Sequence, residues 1–265
     1  HPGVDLVSFT GGTATGEKVA AAAAPAFKKL SLELGGKNSS IVFADCDMEK
    51  TVSGVVRSGF LNQGQVCLCG SRVLVEGPVY EEFEERFVEA VEKMRVGDPS
   101  EEETDLGALI SEQHLQKVQG YVELAVEEGG RILTGGAPCM PSGFEGGNWM
   151  APTVIADLPP ESRCSTEEIF GPVVTIHRFE SEEEAIEISN GTRYGLAGSV
   201  WTGDLDKGRR VSEAMETGMV WVNTWLHRDL RVPFGGVKDS GVGREGGRWS
   251  LGFFSEAMNV CLKHD

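Results

Sequence analysis

Strand-like and helix-like runs alternate along nearly the whole chain, and that order narrows the fold more than any other feature. Val4 to Phe9 reads as a buried strand, followed by a Gly-rich turn and an Ala-rich helix. Leu30 to Leu34 and Ile41 to Phe43 are short apolar runs of strand type. Met48 to Asn62 has helical spacing, with Asp45 or Asp47 as its cap. Ser71 to Val75 is β-branched, and Tyr80 to Met94 and Ser111 to Glu128 are amphipathic helices, the second ended by Gly129 and Gly130. Gly135 to Gly147 reads as a loop, and Pro152 to Ala156 and Val173 to Phe179 as strands. Ser181 to Asn190 opens on a capping box. Ser199 to Thr202 and Met219 to Asn223 are strands flanking a helix, Asp204 to Met215. Gly235 to Gly247 reads as a Gly-rich loop, and Phe253 to Leu262 as a last strand. Strands separated by helices imply an α/β protein with a largely parallel sheet.

Charge and cysteine content then exclude function classes. Lys and Arg number 24 against 41 Asp and Glu, a formal net charge of −17. Nucleic-acid binding draws on a basic surface that releases phosphate counterions, so that class is excluded, and an anionic membrane surface is disfavoured likewise. An anionic substrate would need local Arg or Lys working against the overall field. The longest apolar run, Val19 to Phe27, is too short to span a bilayer. Six cysteines in 265 residues make no dense disulfide framework, and a reducing, cytoplasmic setting is expected. No second Cys or His pair completes a metal site with Cys67 and Cys69, so no metal is expected. The 35 glycines, about twice the usual share of roughly 7%, indicate many tight turns and close backbone approaches. The sequence opens on His1 rather than Met, and a fragment of a longer chain is expected.

Several segments could carry chemistry. In Phe60 to Arg72, Cys67 follows a Gly-broken helix end, where a thiolate can be activated by backbone N–H groups. Taken alone, that segment fits a buried structural cysteine better, because free Cys is among the most buried residues. Glu33 lies inside an apolar run, where burial would raise its pKa toward that of a general base; exposure on an edge strand is the competing reading. Phe9-Thr-Gly-Gly-Thr-Ala-Thr-Gly16 follows a strand and opens a helix, a context that suits a diphosphate, although the spacing is not the usual dinucleotide fingerprint. Glu167 to Pro172 and Arg228 to Gly236 are dense in Gly and Pro, and the second places arginines beside a rigid loop suited to carboxylate recognition.

Together these segments resemble the NAD(P)-dependent aldehyde dehydrogenases. The resemblance rests on Phe9-Thr-Gly-Gly-Thr, Leu32-Glu-Leu-Gly-Gly-Lys37, Asn62-Gln-Gly-Gln-Val-Cys67, Glu168-Ile-Phe-Gly-Pro172 and Pro233-Phe-Gly-Gly236, in the family's order over essentially the whole chain. Trp225 to Gly236, Ser240 to Gly247 and Gln65-Val-Cys-Leu-Cys69 are most similar to the 2-aminomuconic and 2-hydroxymuconic semialdehyde dehydrogenases. The resemblance implies a three-layer αβα fold, truncated at its N-terminus. Residues 1–34 would be a remnant of the dinucleotide-binding domain, 35–252 the catalytic domain with a substrate loop near 225–247, and 253–265 an oligomerisation strand.

It further implies oxidation of an aldehyde to an acid, with Cys67 as nucleophile through a thiohemiacetal and a thioester, and Glu33 as the base that activates water. Gly11 and Gly12 would lie by the cofactor diphosphate, Glu168 on a ribose diol and Phe170 near the nicotinamide; the family often has Ser at the position of Gly12. NAD is the expected cofactor, with NADP left open. A semialdehyde carboxylate would be held by Arg231 first and Arg228 second. Trp225 stands either in the aldehyde pocket or in the core. The expected partners are a small-molecule aldehyde and, in the full-length form, further copies in a dimer or tetramer. The 265-residue chain alone is expected to turn over little. The competing readings are a neutral aldehyde as substrate, and a non-catalytic short chain that assembles with full-length subunits.

Overall fold

The computed structural model describes residues 1–265. Its elements are β1 (Leu6–Thr10), α1 (Thr13–Ala23), β2 (Lys29–Glu33), β3 (Ser39–Val42), α2 (Met48–Phe60), β4 (Arg72–Glu76), α3 (Tyr80–Glu92), α4 (Glu112–Glu127), β5 (Arg131–Thr134) and β6 (Thr153–Ala156). There follow α5 (Arg163–Thr166), β7 (Val173–Phe179), α6 (Glu182–Asn190), β8 (Tyr194–Gly195), β9 (Ala197–Trp201), α7 (Leu205–Ala214), β10 (Met219–Val222), β11 (Val237–Lys238), β12 (Gly241–Val242) and α8 (Gly247–Phe253).

The main sheet runs β10-β9-β3-β4-β7-β6-β5. Every pairing in it is parallel except β5 with β6. Both faces are covered, as the continuous apolar strands require. Val73 and Val75 point to one side, where Val55 of α2 and Phe83 and Phe87 of α3 close the core. Leu74 and Val200 point to the other, against Ala185 of α6 and Val211 of α7. Val118, Val122 and Ala125 of α4 pack against Ile155 and Val173 beside them. This is the three-layer αβα arrangement.

A second sheet, β1-β2-β12, pairs β1 and β2 in parallel and returns β12 antiparallel to β2, with Gly241 opposite Glu33. Ser240 ties the turn after β2 to β8, which pairs antiparallel with β11. It is fully buried; its Oγ donates to Gly35 O at 2.7 Å and accepts from Gly195 N at 2.9 Å. The β2 strand therefore ends at a fixed point on the main body, and that point sets where Glu33 sits.

Several local expectations change. Asp47, not Asp45, caps α2, its side chain accepting from Lys50 N at 3.3 Å. The helix stops at Phe60, because Asn62 and Gln63 adopt positive φ. The stretch 235–247 is not wholly loop: it holds the two-residue strands β11 and β12. Phe253 to Leu262 is not a strand. Helix α8 ends at Phe253, and no ladder partner is available to the residues after it. Phe254, Met258, Val260 and Leu262 are exposed there. The edge strand β5 was hidden, since its four residues are only partly buried and open on Arg131.

Candidate active site

Cys67 and Glu33 arrive at one place by different routes. Glu33 is the last residue of β2 and is 5% exposed. Cys67 follows α2 and the tight turn Leu61–Gly64, in which Asn62, Gln63 and Gly64 all have positive φ. A side chain on Gly64 would run into the backbone of Gly171, so only glycine lets the two loops touch. Asn38 ties the turn down, donating from Nδ2 to Cys67 O at 2.8 Å and Cys69 O at 2.9 Å. Both residues line a cavity of about 500 Å³, together with Gly11, Gly12, Gln65, His114, Lys117, Glu168 and Phe170.

The electrostatics are unusual at each carboxylate. Neither Glu33 oxygen has a hydrogen-bond partner. Burial, then the neighbouring Glu245 charge, pushes the Glu33 pKa up to about 7, while Arg244 and Arg228 pull the other way. Burial also raises the Cys67 thiol, helped by the charges of Glu168 and Glu33, while its own backbone N–H and Arg228 oppose the rise. Glu168 is raised by burial and held against it by the Gly36 N–H, which donates to Oε1 at 2.9 Å, and by Lys117 and Lys37.

One wall of the cavity is an open helix N-terminus. Gly12 caps α1 with no side-chain hydrogen bond, and the first turn of α1 holds no acidic residue. A Cβ on Gly12 would meet nothing within 4 Å, so that backbone stands open beside the helix N-terminus. Phe170 is 36% exposed with φ of 63°, and its carbonyl lies 2.6 Å from His114 Nε2. Lys117 Nζ donates to Glu168 O at 3.1 Å. No group of three or more His, Cys, Asp or Glu could hold a metal ion, and no helix is long and apolar enough to cross a membrane.

The two arginines have different surroundings. Arg231 is 88% exposed in its side chain and folds onto Asp229 of its own turn, with Nε 2.9 Å and 3.0 Å from the two carboxylate oxygens. Arg228 stacks over Phe234 at 4.4 Å, and its charge is felt at both Cys67 and Glu33. It lines a neighbouring cleft of about 560 Å³ with Trp221, Phe234 and Glu245, which Arg231 does not. The difference is local. A guanidinium two residues from an aspartate pairs with it within its own turn. Trp225 is a core residue, 5% exposed; it donates from Nε1 to Leu68 O at 3.1 Å and so braces the Cys67 loop.

Sequence reasoning missed His114, Lys117 and Glu245. The first two face the cavity at helical spacing on α4, a pattern hidden in an ordinary amphipathic helix. Glu245 accepts from Ser31 Oγ at 3.3 Å, two residues from Glu33 on β2.

Comparisons with known proteins place this geometry. The aldehyde dehydrogenase family description matches residues 1–260. The chain is 50% identical to 2-aminomuconic semialdehyde dehydrogenase of Danio rerio over 267 residues, covering 100% of this chain and 55% of that protein. It is 49% identical to 2-hydroxymuconic semialdehyde dehydrogenase of Pseudomonas putida over 264 residues, covering 99% of this chain and 54% of that protein. Betaine aldehyde dehydrogenase of Staphylococcus aureus, crystallised in complex with NAD+, superposes with a TM-score of 0.93 at 40% identity over 95% of this chain and 50% of its own. The chain thus spans about half the length of the curated relatives it matches. Motif order, fold and cavity agree, and the chain belongs to the aldehyde dehydrogenase family.

Proposed function

We propose that these residues carry the catalytic centre of an NAD-dependent oxidation of a carboxylated semialdehyde to its acid. The observation that carries the reading is the meeting of Cys67 and an unpartnered Glu33 in one cavity with Gly11, Gly12, Glu168 and Phe170.

Cys67 rests as a thiol at neutral pH, since burial and two carboxylates disfavour its anion. Loss of the proton to Glu33 or water frees the sulfur to attack the aldehyde carbon. A C–S bond forms, the carbonyl electron pair moves to oxygen, and the Cys67 backbone N–H supplies one donor for that oxyanion. Gly11, Gly12, Glu168 and Phe170 would hold the dinucleotide, which when bound supplies the hydride acceptor that takes the cysteine adduct to the thioester level. Glu33, after passing any proton it took from the thiol to solvent, removes a proton from water, the hydroxide attacks the thioester carbon, and the C–S bond breaks to return the thiolate. A carboxyl group with pKa about 7 is matched to this task near neutral pH. The charge of Arg228, which lowers the pKa of both Cys67 and Glu33, supports it as the cation for the substrate carboxylate.

The relatives named for 2-aminomuconic and 2-hydroxymuconic semialdehydes support a substrate of that class. The NAD+ complex of the betaine aldehyde relative favours NAD. Six free cysteines are consistent with a reducing, cytoplasmic setting, and the exposed apolar tail after α8 with assembly into oligomers. Little turnover is expected from the 265-residue polypeptide alone, which spans about half the length of the relatives it matches.

The test compares carboxylated and neutral aldehydes with NAD and with NADP, in the polypeptide as its native source makes it and in the 265-residue chain, with Cys67→Ala as control. Acid and NADH formed in equal amounts by the native-source polypeptide, and lost in Cys67→Ala, is the expected result. Turnover that survives Cys67→Ala would overturn the mechanism, and equal rates on the two aldehydes would overturn the substrate class.

A further inference from the structure

The segment Cys67-Leu68-Cys69 belongs to no helix or strand, yet each of its three carbonyls is held by a side chain from a distant part of the sequence. Asn38 donates from Nδ2 to Cys67 O at 2.8 Å and to Cys69 O at 2.9 Å, and Trp225 donates from Nε1 to Leu68 O at 3.1 Å. A primary amide nitrogen carries two N–H groups, so Asn38 spends both on this segment. Its Oδ1 accepts from the N–H of Ala197, the first residue of β9, at 3.0 Å. Asn38 is buried, and every polar atom of its side chain is used. A buried polar group satisfied in this way is rigid and fixes what it touches.

The clamp acts on the carbonyl side of Cys67 and leaves the other side free. Cys67 N donates to no other backbone group. Fixing the carbonyl sets the peptide plane after Cys67, while the N–H before it stays open to an oxygen bound in the cavity. The same approach is visible in the turn that leads to Asn38. A Cβ on Gly36 would stand 2.9 Å from Cys67 O, so that turn presses on the carbonyl that Asn38 holds. Glu33 ends β2 just before this turn. One short stretch, Glu33 to Asn38, therefore carries both the cavity carboxylate and the brace on the thiol loop.

We propose that Asn38 is a positioning residue for the nucleophile: its amide, together with the Trp225 indole, fixes the peptide planes from Cys67 to Cys69, so that the thiol and the free Cys67 N–H keep one arrangement through attack and hydrolysis. The inference rests on the reading of Cys67 as the nucleophile.

The experiment uses the polypeptide as its native source makes it and measures kcat, aldehyde KM, NADH affinity by fluorescence and thermal unfolding. Rates are taken well below each variant's melting temperature and expressed per folded molecule. Asn38→Leu keeps the side-chain volume and removes all three hydrogen bonds. Its kcat should fall about a hundredfold, the size expected when a reacting group is displaced by about 1 Å. KM and NADH affinity should stay within about twofold, since neither ligand touches Asn38. Asn38→Asp keeps an acceptor for Ala197 N and loses the two donors, so its kcat should fall likewise. Combined with Trp225→Phe, Asn38→Leu should cost less than the product of the two single losses, because both side chains hold one segment. A kcat for Asn38→Leu close to the parent value, a parallel loss of NADH affinity, full turnover in Asn38→Asp, or strict additivity with Trp225→Phe would each overturn the role. Failure of both Asn38 variants to fold would overturn it too, by assigning the amide to stability alone. Turnover that survives Cys67→Ala would instead remove the nucleophile itself, and this inference with it.

Discussion

At the scale of single residues, the centre is defined by groups denied their usual partners. Glu33 has a folded pKa of about 7 against an ordinary 4.5, so ionising it in the folded chain opposes stability. The unfolded chain releases this proton from about pH 4.5 upward and the folded chain only near 7, so stability falls as pH rises between the two. Glu33→Gln should therefore melt higher than the parent above pH 7, by about 2 kcal/mol after allowance for solvent in the cavity, with the gap closing below pH 4.5. The same variant should stall at the thioester, visible as a burst of NADH without continued turnover in the polypeptide as its native source makes it. Arg228→Ala should raise KM for a carboxylated aldehyde about 10- to 100-fold with little effect on a neutral one, as loss of a charge-assisted contact would. Arg231→Ala should leave both near the parent value, because its guanidinium is spent on Asp229. Equal effects of the two substitutions would contradict the assignment. Read from the residues alone, the Cys67 segment fits a structural cysteine better and Glu33 leaves an edge strand open; their meeting in one cavity is implied only by the family resemblance. Which of two arginines three residues apart pairs with a local aspartate is not legible, because it depends on the fold of the turn.

At the scale of elements, the thiol is aimed by the turn at the exit of a helix rather than by the helix. The α2 helix carries an ordinary cap and apolar face, and both were readable. Its exit was not, because two successive non-glycine residues at positive φ persist only where tertiary contacts hold them. One contact is Gln65 Oε1, which accepts from Ile110 N at 3.1 Å; another is Trp225 on Leu68 O. Trp225→Phe keeps most of the ring and removes that donor. It should cost about 1 kcal/mol in stability and reduce kcat more than KM, as misalignment of a nucleophile does. An unchanged kcat would mean that the loop is aimed without it. The failed strand at 253–262 has a related cause: alternation of apolar residues marks a wish for a ladder, and a single chain supplies none here.

At the scale of the whole molecule, one buried hydroxyl ties the turn after β2 to β8. Ser240 satisfies Gly195 N and Gly35 O at once, from a fully buried position. Ser240→Ala would strand both and should destabilise by about 2–4 kcal/mol. Because β2 carries Glu33, the loss of catalysis should exceed the loss of folded protein at moderate temperature. A variant with native melting and native turnover would show the joint to be redundant. The alternation of strands and helices made the αβα body legible. The second sheet was not, since β12 is two residues long and lies inside a Gly-rich stretch.

The turn beneath Glu168 carries a consequence for descent. The place where Gly35 would bear a side chain is already filled by a carboxylate from a distant part of the sequence. A change at Gly35 is harmful while Glu168 remains, and a shortened Glu168 gives up the Gly36 contact before any benefit at Gly35 appears. Neither step is a neutral first move, so the two positions would be expected to drift together or not at all, far apart in the sequence yet inherited as a single character.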